Sequence, residues 1–291
     1  MKKLVYCIVL FAIISCEDVI DVGLPPTQTK LVVNALIRVD TADEFVPIEV
    51  KVTETSDFFS SNQVTQLVNA TIFYGFPENG TQSTEGLNSS SLIEVNPNTG
   101  VYRPEVNDTD DQRIKTTDIE PGMVFILVMN HKNVIYTART TYVETVPIDA
   151  LEQGSATLFD EDDIEVLVTI TDIPDEENHY VFDFGFNEFL PVDDQFIDGQ
   201  QFQFSYFYDD LSTGQTVEIG ILGADKSFHD YMNLILEQTE RNAGVFETPV
   251  ATIRGNVINN SENNGNPELS EEFALGYFAV VQEFKRTLTL E

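Results

Sequence analysis

Ile164–Asp172 reads IEVLVTITD, and Ile164, Val166, Val168 and Ile170 fall on one side of that stretch. Period-two alternation over so short a run marks a strand with one buried face. Two neighbours repeat the pattern with aromatic rings. In YVFDFGF and FQFSYFY, Tyr180, Phe182, Phe184 and Phe186 line up with Phe202, Phe204, Tyr206 and Tyr208 as one continuous face. Working towards the N-terminus, LVVNALIR (31–38), VPIEVKVTET (46–55), NATIFYGF (69–76) and GVYRPEV (100–106) are rich in β-formers. MVFILVMN and NVIYTARTTYVE form a hairpin around His131-Lys132. Glu78–Ser91, dense in Ser, Thr, Asn and Gly, reads as a loop.

The chain is therefore expected to be mainly β. Residues 30–147 predict an immunoglobulin-like β-sandwich, and residues 148–291 a second antiparallel β domain, sandwich or barrel, with one packed helix over 227–241. Thr145–Ala150 contains Pro147 and reads as a stiff junction between two units that fold independently. For the helix, Ser227 is the expected N-cap and Asp230 complements the dipole. Phe228, Tyr231, Met232 and Ile235 recur at helical spacing, with Asp230 and Glu237 turned to solvent, and Asn242 and Gly244 mark its end. PVATIRGNVIN, a polar loop over 260–272 and the long strand ALGYFAVVQEFKRTLTL close the chain.

Residues 1–15 have the parts of a secretory signal: Lys2 and Lys3, the apolar run Leu4–Ile14, and small Ser15. The run is far shorter than the roughly 20 residues a membrane-spanning helix needs. Ile13-Ile14-Ser15-Cys16 resembles the lipobox of bacterial lipoproteins, which makes Cys16 the lipidated first residue of the mature chain. Glu17 and Asp18, with Asp21, resemble the acidic tag that sends Bacteroidota lipoproteins to the cell surface; the periplasmic face is the alternative. Residues 16–29, with Pro25-Pro26, form a tether. Cys7 lies in the removed segment, so no cysteine is left for a disulfide, a nucleophile or a metal.

Removing residues 1–15 takes away two lysines and no acid, leaving 13 basic against 49 acidic residues and a formal charge of −36. Such a field repels nucleic acid, whose binding depends on Lys and Arg displacing counterions. At 42% hydrophobic and 11% aromatic residues, the chain has enough apolar material for a sizeable core, which excludes disorder.

The hairpin stretch PGMVFILVMNHKNVIYTARTTYVETVPID, the helix opening at Ser227, the strand TIRGNVIN and the closing ALGYFAV resemble the Bacteroidota lipoprotein family called domain of unknown function 4249. The likeness covers nearly the whole mature chain and carries no catalytic residue. It implies a TonB-dependent outer-membrane receptor as partner, because members are commonly encoded beside one.

The candidate sites each have a plain counterpart. The aromatics Phe182, Phe184, Phe202, Phe204 and Tyr206 suit a pocket for an apolar ligand or sugar ring, but aromatics alternating on adjacent strands are more often core, and the lack of Trp weighs against a sugar. Acid clusters at Asp108, Asp110 and Asp111, at Asp160–Asp163, and at Asp172, Asp175 and Glu176 offer oxygen ligands to calcium, the one cofactor considered, and otherwise are solvated loops. Gly220–Ser227, GILGADKS, resembles a phosphate loop, but Asp225 stands where glycine is needed, so a strand-to-helix turn is the better reading. His131, His179 and His229 have no partners recognisable in sequence, and no nucleophile elbow or zinc motif is present. The expected function is a non-catalytic surface lipoprotein that binds a ligand or protein and assists a TonB-dependent transporter. A structural or adhesive module is the alternative, and a glycosidase using two carboxylates a remote one.

Overall fold

A computed structural model describes residues 29–56, 63–77, 83–107, 109–158, 163–209, 211–239, 252–260 and 273–291. In the N-terminal region the strands are β1 (Leu31–Val39), β2 (Val50–Glu54), β3 (Gln63–Val64), β4 (Asn69–Gly75), β5 (Asn88–Glu94), β6 (Val101–Pro104), β7 (Val124–His131) and β8 (Val134–Thr141). They are followed by β9 (Ile148–Gln153), β10 (Ile164–Thr171), β11 (His179–Asp183), β12 (Phe189–Asp193), β13 (Gln201–Tyr208), β14 (Thr216–Ala224), the helix α1 (Lys226–Thr239), β15 (Val257–Asn259) and β16 (Leu275–Thr289).

The protein is mainly β and sandwich-like. A small antiparallel sheet, β13-β10-β9, packs against part of a large mixed sheet ordered β12, β11, β14, β16, β1, β2, β6, β5, β4, β7, β8, β15, with β3 added on β2. In β1 the alternation is obeyed closely: Leu31, Val33, Ala35, Ile37 and Val39 are buried in the first core. The sheet curls about that core until β8 and β15 lie near β16, and it stops short of closing into a barrel. The Asn256 side chain spans the gap: its amide nitrogen donates to the carbonyls of Arg139 (3.0 Å) and Phe278 (2.7 Å), and its oxygen accepts from Phe278 N (2.9 Å).

Strand pairing crosses the expected division at residue 147. The first half of β16 runs parallel to β1, from Val32 beside Leu275 to Val39 beside Gln282. Its second half runs antiparallel to β14, from Leu222 beside Glu283 to Thr216 beside Thr289. β15 pairs with β8, and Val257, Ala274, Phe278 and Val280 belong to the N-terminal core. Residues 30–147 alone leave that core open on the side that β16 covers. Alternation reveals that a strand has a buried face; it does not reveal which strand will cover it.

In the second region, layering replaces the barrel alternative. Tyr180 and Phe182 of β11, Ile219 and Ile221 of β14, and Val166, Val168 and Ile170 of β10 form a second core between the sheets. The opposite face of the same strands presents Val181, Leu222, Ala224, Ala279 and Val281, and α1 covers it with Phe228 and Met232. The helix begins earlier than its sequence suggests: the Asp225 carboxylate, not Ser227, accepts from Phe228 N at 2.7 Å. Asp230 and Glu237 face solvent as expected, while Ile235 is half-buried, and positions 240–244 lie outside the described residues.

Gly276 makes the β1–β16 register possible. It sits at φ +87°, and a Cβ there would stand 1.8 Å from the Val33 carbonyl oxygen; a Cβ on Gly255 would stand 1.5 Å from the Gly276 oxygen. Gly86 has a similar φ, +80°, but open space around it. Replacing Gly86 by Ala is expected to cost about 1–2 kcal/mol through its dihedral alone. Gly276→Ala is expected to cost about 4 kcal/mol or more, because backbone must move. Denaturant midpoints of the two variants check this, and equal losses would disprove it.

Candidate functional site

Even-numbered residues of β1 face away from the first core, and there they meet α1. Between the helix, β1, β12 and β16 lies a groove of ≈ 440 Å3. Val32 and Leu36 line one wall, Ile235 and Leu236 the other, and Tyr231 and Tyr277 stand across it. Asn34, Asn187 and Thr239 add polar atoms, and no lining side chain is charged. That volume and an apolar wall with a few neutral polar groups suit a small ligand. The Tyr277 ring is fixed by Phe228 (centroids 5.4 Å apart) and Tyr231 (4.6 Å). Burial, then Asp225, pushes its hydroxyl pKa up, so it is a neutral donor at ordinary pH.

One step along the same face, Arg38 donates to Asp183 of β11 at 2.6 Å and to Glu283 of β16 at 2.9 Å. Glu283 is only 4% exposed, and its other oxygen lies 3.4 Å from Lys285. Burial works against the Arg38 charge, but the two carboxylates outweigh it and hold the guanidinium pKa above its usual value. This network joins β1, β11 and β16 at the point where β16 changes partner.

The aromatic face is core. Phe182 and Phe184 are fully buried; the Phe184 ring stacks on Tyr206 at 3.7 Å, and the Phe182 ring meets Phe204 edge-on at 5.0 Å. Phe202 packs on Phe204 at 5.6 Å. These rings fill the space between the sheets and do not line the groove. Phe186 departs from the expected face: its backbone turns to φ +54° after β11, leaving the side chain 71% exposed.

Of the acid clusters, Asp108 and Asp160–Asp162 lie outside the described residues, as do Cys16, Glu17 and Asp18. Asp110 accepts from the Gln112 side chain at 2.7 Å. Asp111 is gripped by Arg113, whose hydrogen bonds hold its carboxyl pKa at about 2. Asp163 accepts from Leu158 N at 3.0 Å. The third cluster is rearranged by the fold. Asp172 is brought to Asp194 and Asp198, with one oxygen of each within 4.8 Å of the others, while Asp175 and Glu176 stay on the surface. Three oxygens would supply only part of a divalent-cation shell, short of the six to eight calcium takes. Each already has a donor: Tyr180 OH and Gly199 N on Asp172, Asn178 N on Asp194, and Asp175 N on Asp198. The acidic run VDDQFID at 192–198 was the available signal for the new members.

The histidines find partners that sequence did not show. His179 and His229 are buried with ring centroids 4.9 Å apart, and His131 bonds to the Thr65 hydroxyl at 2.9 Å. In the phosphate-loop look-alike, Lys226 is tied to Asp230 at 3.0 Å, as befits a helix start. Asp40-Thr41-Ala42 is an exposed turn in which Asp40 accepts from Ala42 N.

The Arg38 network gives a stability test. Arg38→Ala is expected to cost about 3 kcal/mol, because it strands the buried Glu283 charge. Lys285→Ala, removing a more exposed partner, is expected to cost under about 1 kcal/mol. Urea denaturation of both variants measures the difference, and the reverse order would show that Lys285, not Arg38, satisfies Glu283.

The family model described as Domain of unknown function (DUF4249) matches residues 17–287, and the chain belongs to that family. No protein with a curated description matches it.

Proposed function

We propose that this member of the DUF4249 family is a non-catalytic, lipid-anchored binding protein of the outer-membrane surface that assists a TonB-dependent transporter. The observation that carries the binding role is the groove beneath α1, a cavity of ≈ 440 Å3 without a charged lining residue in a chain of net charge −34. Its occupant is an uncharged, largely apolar molecule or peptide side chain, oriented by the Tyr231 and Tyr277 hydroxyls. The lipobox at Ile13–Cys16 supports the anchor, and Glu17 and Asp18 support the outward-facing position. Several acyl chains are what make such attachment durable, since one chain binds only marginally. The transporter partnership rests on the resemblance to lipoproteins encoded beside such receptors.

Two expected outcomes test this reading. An alkyne fatty acid should label the wild-type chain and not Cys16→Ala, which should be recovered soluble; protease added to intact cells should digest the wild-type protein. Label on Cys16→Ala would sink the anchor, and digestion only after lysis would place the protein on the periplasmic face. Separately, the neutral dye N-phenyl-1-naphthylamine should fluoresce on binding the groove, with affinity at least about tenfold weaker in Ile235→Asp, a carboxylate being costly in an apolar cleft. Unchanged dye binding would remove the groove from the proposal. Recovery of the lipoprotein without any receptor after mild detergent extraction would favour an adhesive or structural module.

A further inference from the structure

The edge of a sheet is a row of backbone groups open to another strand, and proteins keep such rows short, charged, covered or interrupted by proline. Among the described residues, most edges here follow that rule. β15 and β3 are three and two residues long. β12 has Pro191 at its centre. Phe184 N donates to the Glu188 carbonyl, which sets the odd-numbered residues of β12 outward, so the missing N–H is one that an added strand would need. Over β9, the Arg286 guanidinium donates to the Ile148 carbonyl at 2.8 Å and to that of Asp149, and Gln153 accepts from Glu291 N at 2.7 Å.

β13 has none of these guards. Its eight residues, QFQFSYFY, include no charge and no proline, and it is the outer strand of its sheet. Asp172 N donates to the Gln200 carbonyl at 3.0 Å, and bonded pairs alternate along an antiparallel ladder. Phe202, Phe204, Tyr206 and Tyr208 therefore turn their backbone groups to β10, while Gln201, Gln203, Ser205 and Phe207 turn theirs outward. Among the described residues, no backbone group meets them there. The layer opposite is one strand wider. Phe204 meets Phe182, and Tyr206 stacks on Phe184, which sets β13 over β11 and its continuation. A strand added outside β13 would lie over β12, whose inner face carries Leu190, 36% exposed, and the half-buried Val192.

Charge indicates what kind of strand fits. Where β13 ends, Phe186, Glu188, Phe207, Tyr208, Asp209 and Leu211 line a cleft of ≈ 240 Å3. The Phe186 ring is largely exposed, and Glu188 is held in place by the Tyr206 hydroxyl. An aromatic face beside two carboxylates suits a Lys or Arg side chain. Between Arg139 and Lys226 the chain has acids throughout and not one Lys or Arg, and the undescribed positions 159–162 and 210 fall within that stretch. Arg38 and Lys285, which line a neighbouring cleft with Phe186, are each held by two carboxylates.

We propose that the outer edge of β13 is the docking site for an extended, cationic segment of another polypeptide. The segment adds as a strand, covers Leu190 with its inward side chains and seats a Lys or Arg among Phe186, Glu188 and Asp209. Main-chain bonds to Gln201, Gln203, Ser205 and Phe207 supply affinity, and the cleft supplies the preference for a base. A second copy of this chain fits badly, because antiparallel pairing of two β13 strands sets Asp198 of one near Asp209 of the other. The site lies on the face of the large sheet away from α1, so it depends neither on the groove nor on lipidation.

The chain from residue 17 onward, which contains every described strand and helix, is titrated into a fluorescein-labelled peptide, Lys-Val-Thr-Val-Thr-Val-Lys, and binding is read by polarisation. Replacing both lysines by glutamate should weaken binding at least about tenfold. Ser205→Pro, which removes an outward N–H, should do the same, by at least about tenfold. E188Q/D209N should weaken it at least about threefold. Peptides N-methylated on alternate backbone amides are made in both frames; a strand offers one edge to β13, so at least one frame should lose at least about tenfold. Binding that survives methylation in both frames would overturn the proposal, as would equal affinity for the lysine and glutamate peptides, or no saturable binding of the lysine peptide. The methylated peptides use the unaltered protein, so they decide the matter even if Ser205→Pro misfolds. A concentration-dependent dimer of the free chain that Ser205→Pro abolishes would also overturn it, giving the edge to a second copy.

Discussion

Gly255 and Gly276 stand back to back, closer than any side chain would permit, and the architecture turns on that approach. It lets β16 slide in beside β1 in parallel register while Asn256 reaches past it to the backbone of Phe278 and Arg139. The two glycines fall in TIRGNVIN and ALGYFAV, two of the stretches by which the family is recognised. Those motifs therefore need no catalytic explanation. They describe a place where three backbones converge and where a methyl group has no room.

From that junction the groove and the Arg38 network take their positions. The residue after Gly276 is Tyr277, whose ring lies across the groove, and the strand β16 carries Glu283 into the Arg38 network six residues after that tyrosine. Apolar packing of Phe228 and Met232 on β11, β14 and β16 fixes the helix wall of the groove, and the half-buried Ile235 and Leu236 extend that wall opposite Val32 and Leu36. The ionic network costs desolvation that its Coulomb energy barely offsets. Its contribution is better read as specificity: it holds β1, β11 and β16 to one relative placement, since any other leaves Glu283 without Arg38.

How much of this was legible in the sequence depended on range. The alternation in LVVNALIR, IEVLVTITD and FQFSYFY reports which face of a strand is buried, and those faces are as expected, including the aromatic core. The helix was visible for the same reason, although Asp225 took the capping role assigned to Ser227, a shift that propensity does not resolve. What sequence could not show was pairing across long separations. Nothing in ALGYFAV specifies β1 as its neighbour, and that pairing crosses the expected boundary at residue 147. The same limit hid the Asp172–Asp194–Asp198 cluster and the His179–His229 contact, each assembled from separate segments.

Val32 and Leu275, neighbours in the sheet, are separated by 243 residues of chain. A ribosome or a secretion channel delivers Val32 long before Leu275, and during that interval the first core has an open side facing solvent. Contacts of such separation also make for slow folding, because loop closure precedes any reward from pairing. The chain is thus kept from completing its first core until β16 arrives. For a protein proposed to be exported, that delay preserves a threadable state through much of translocation, and the core is sealed only when β16 has crossed.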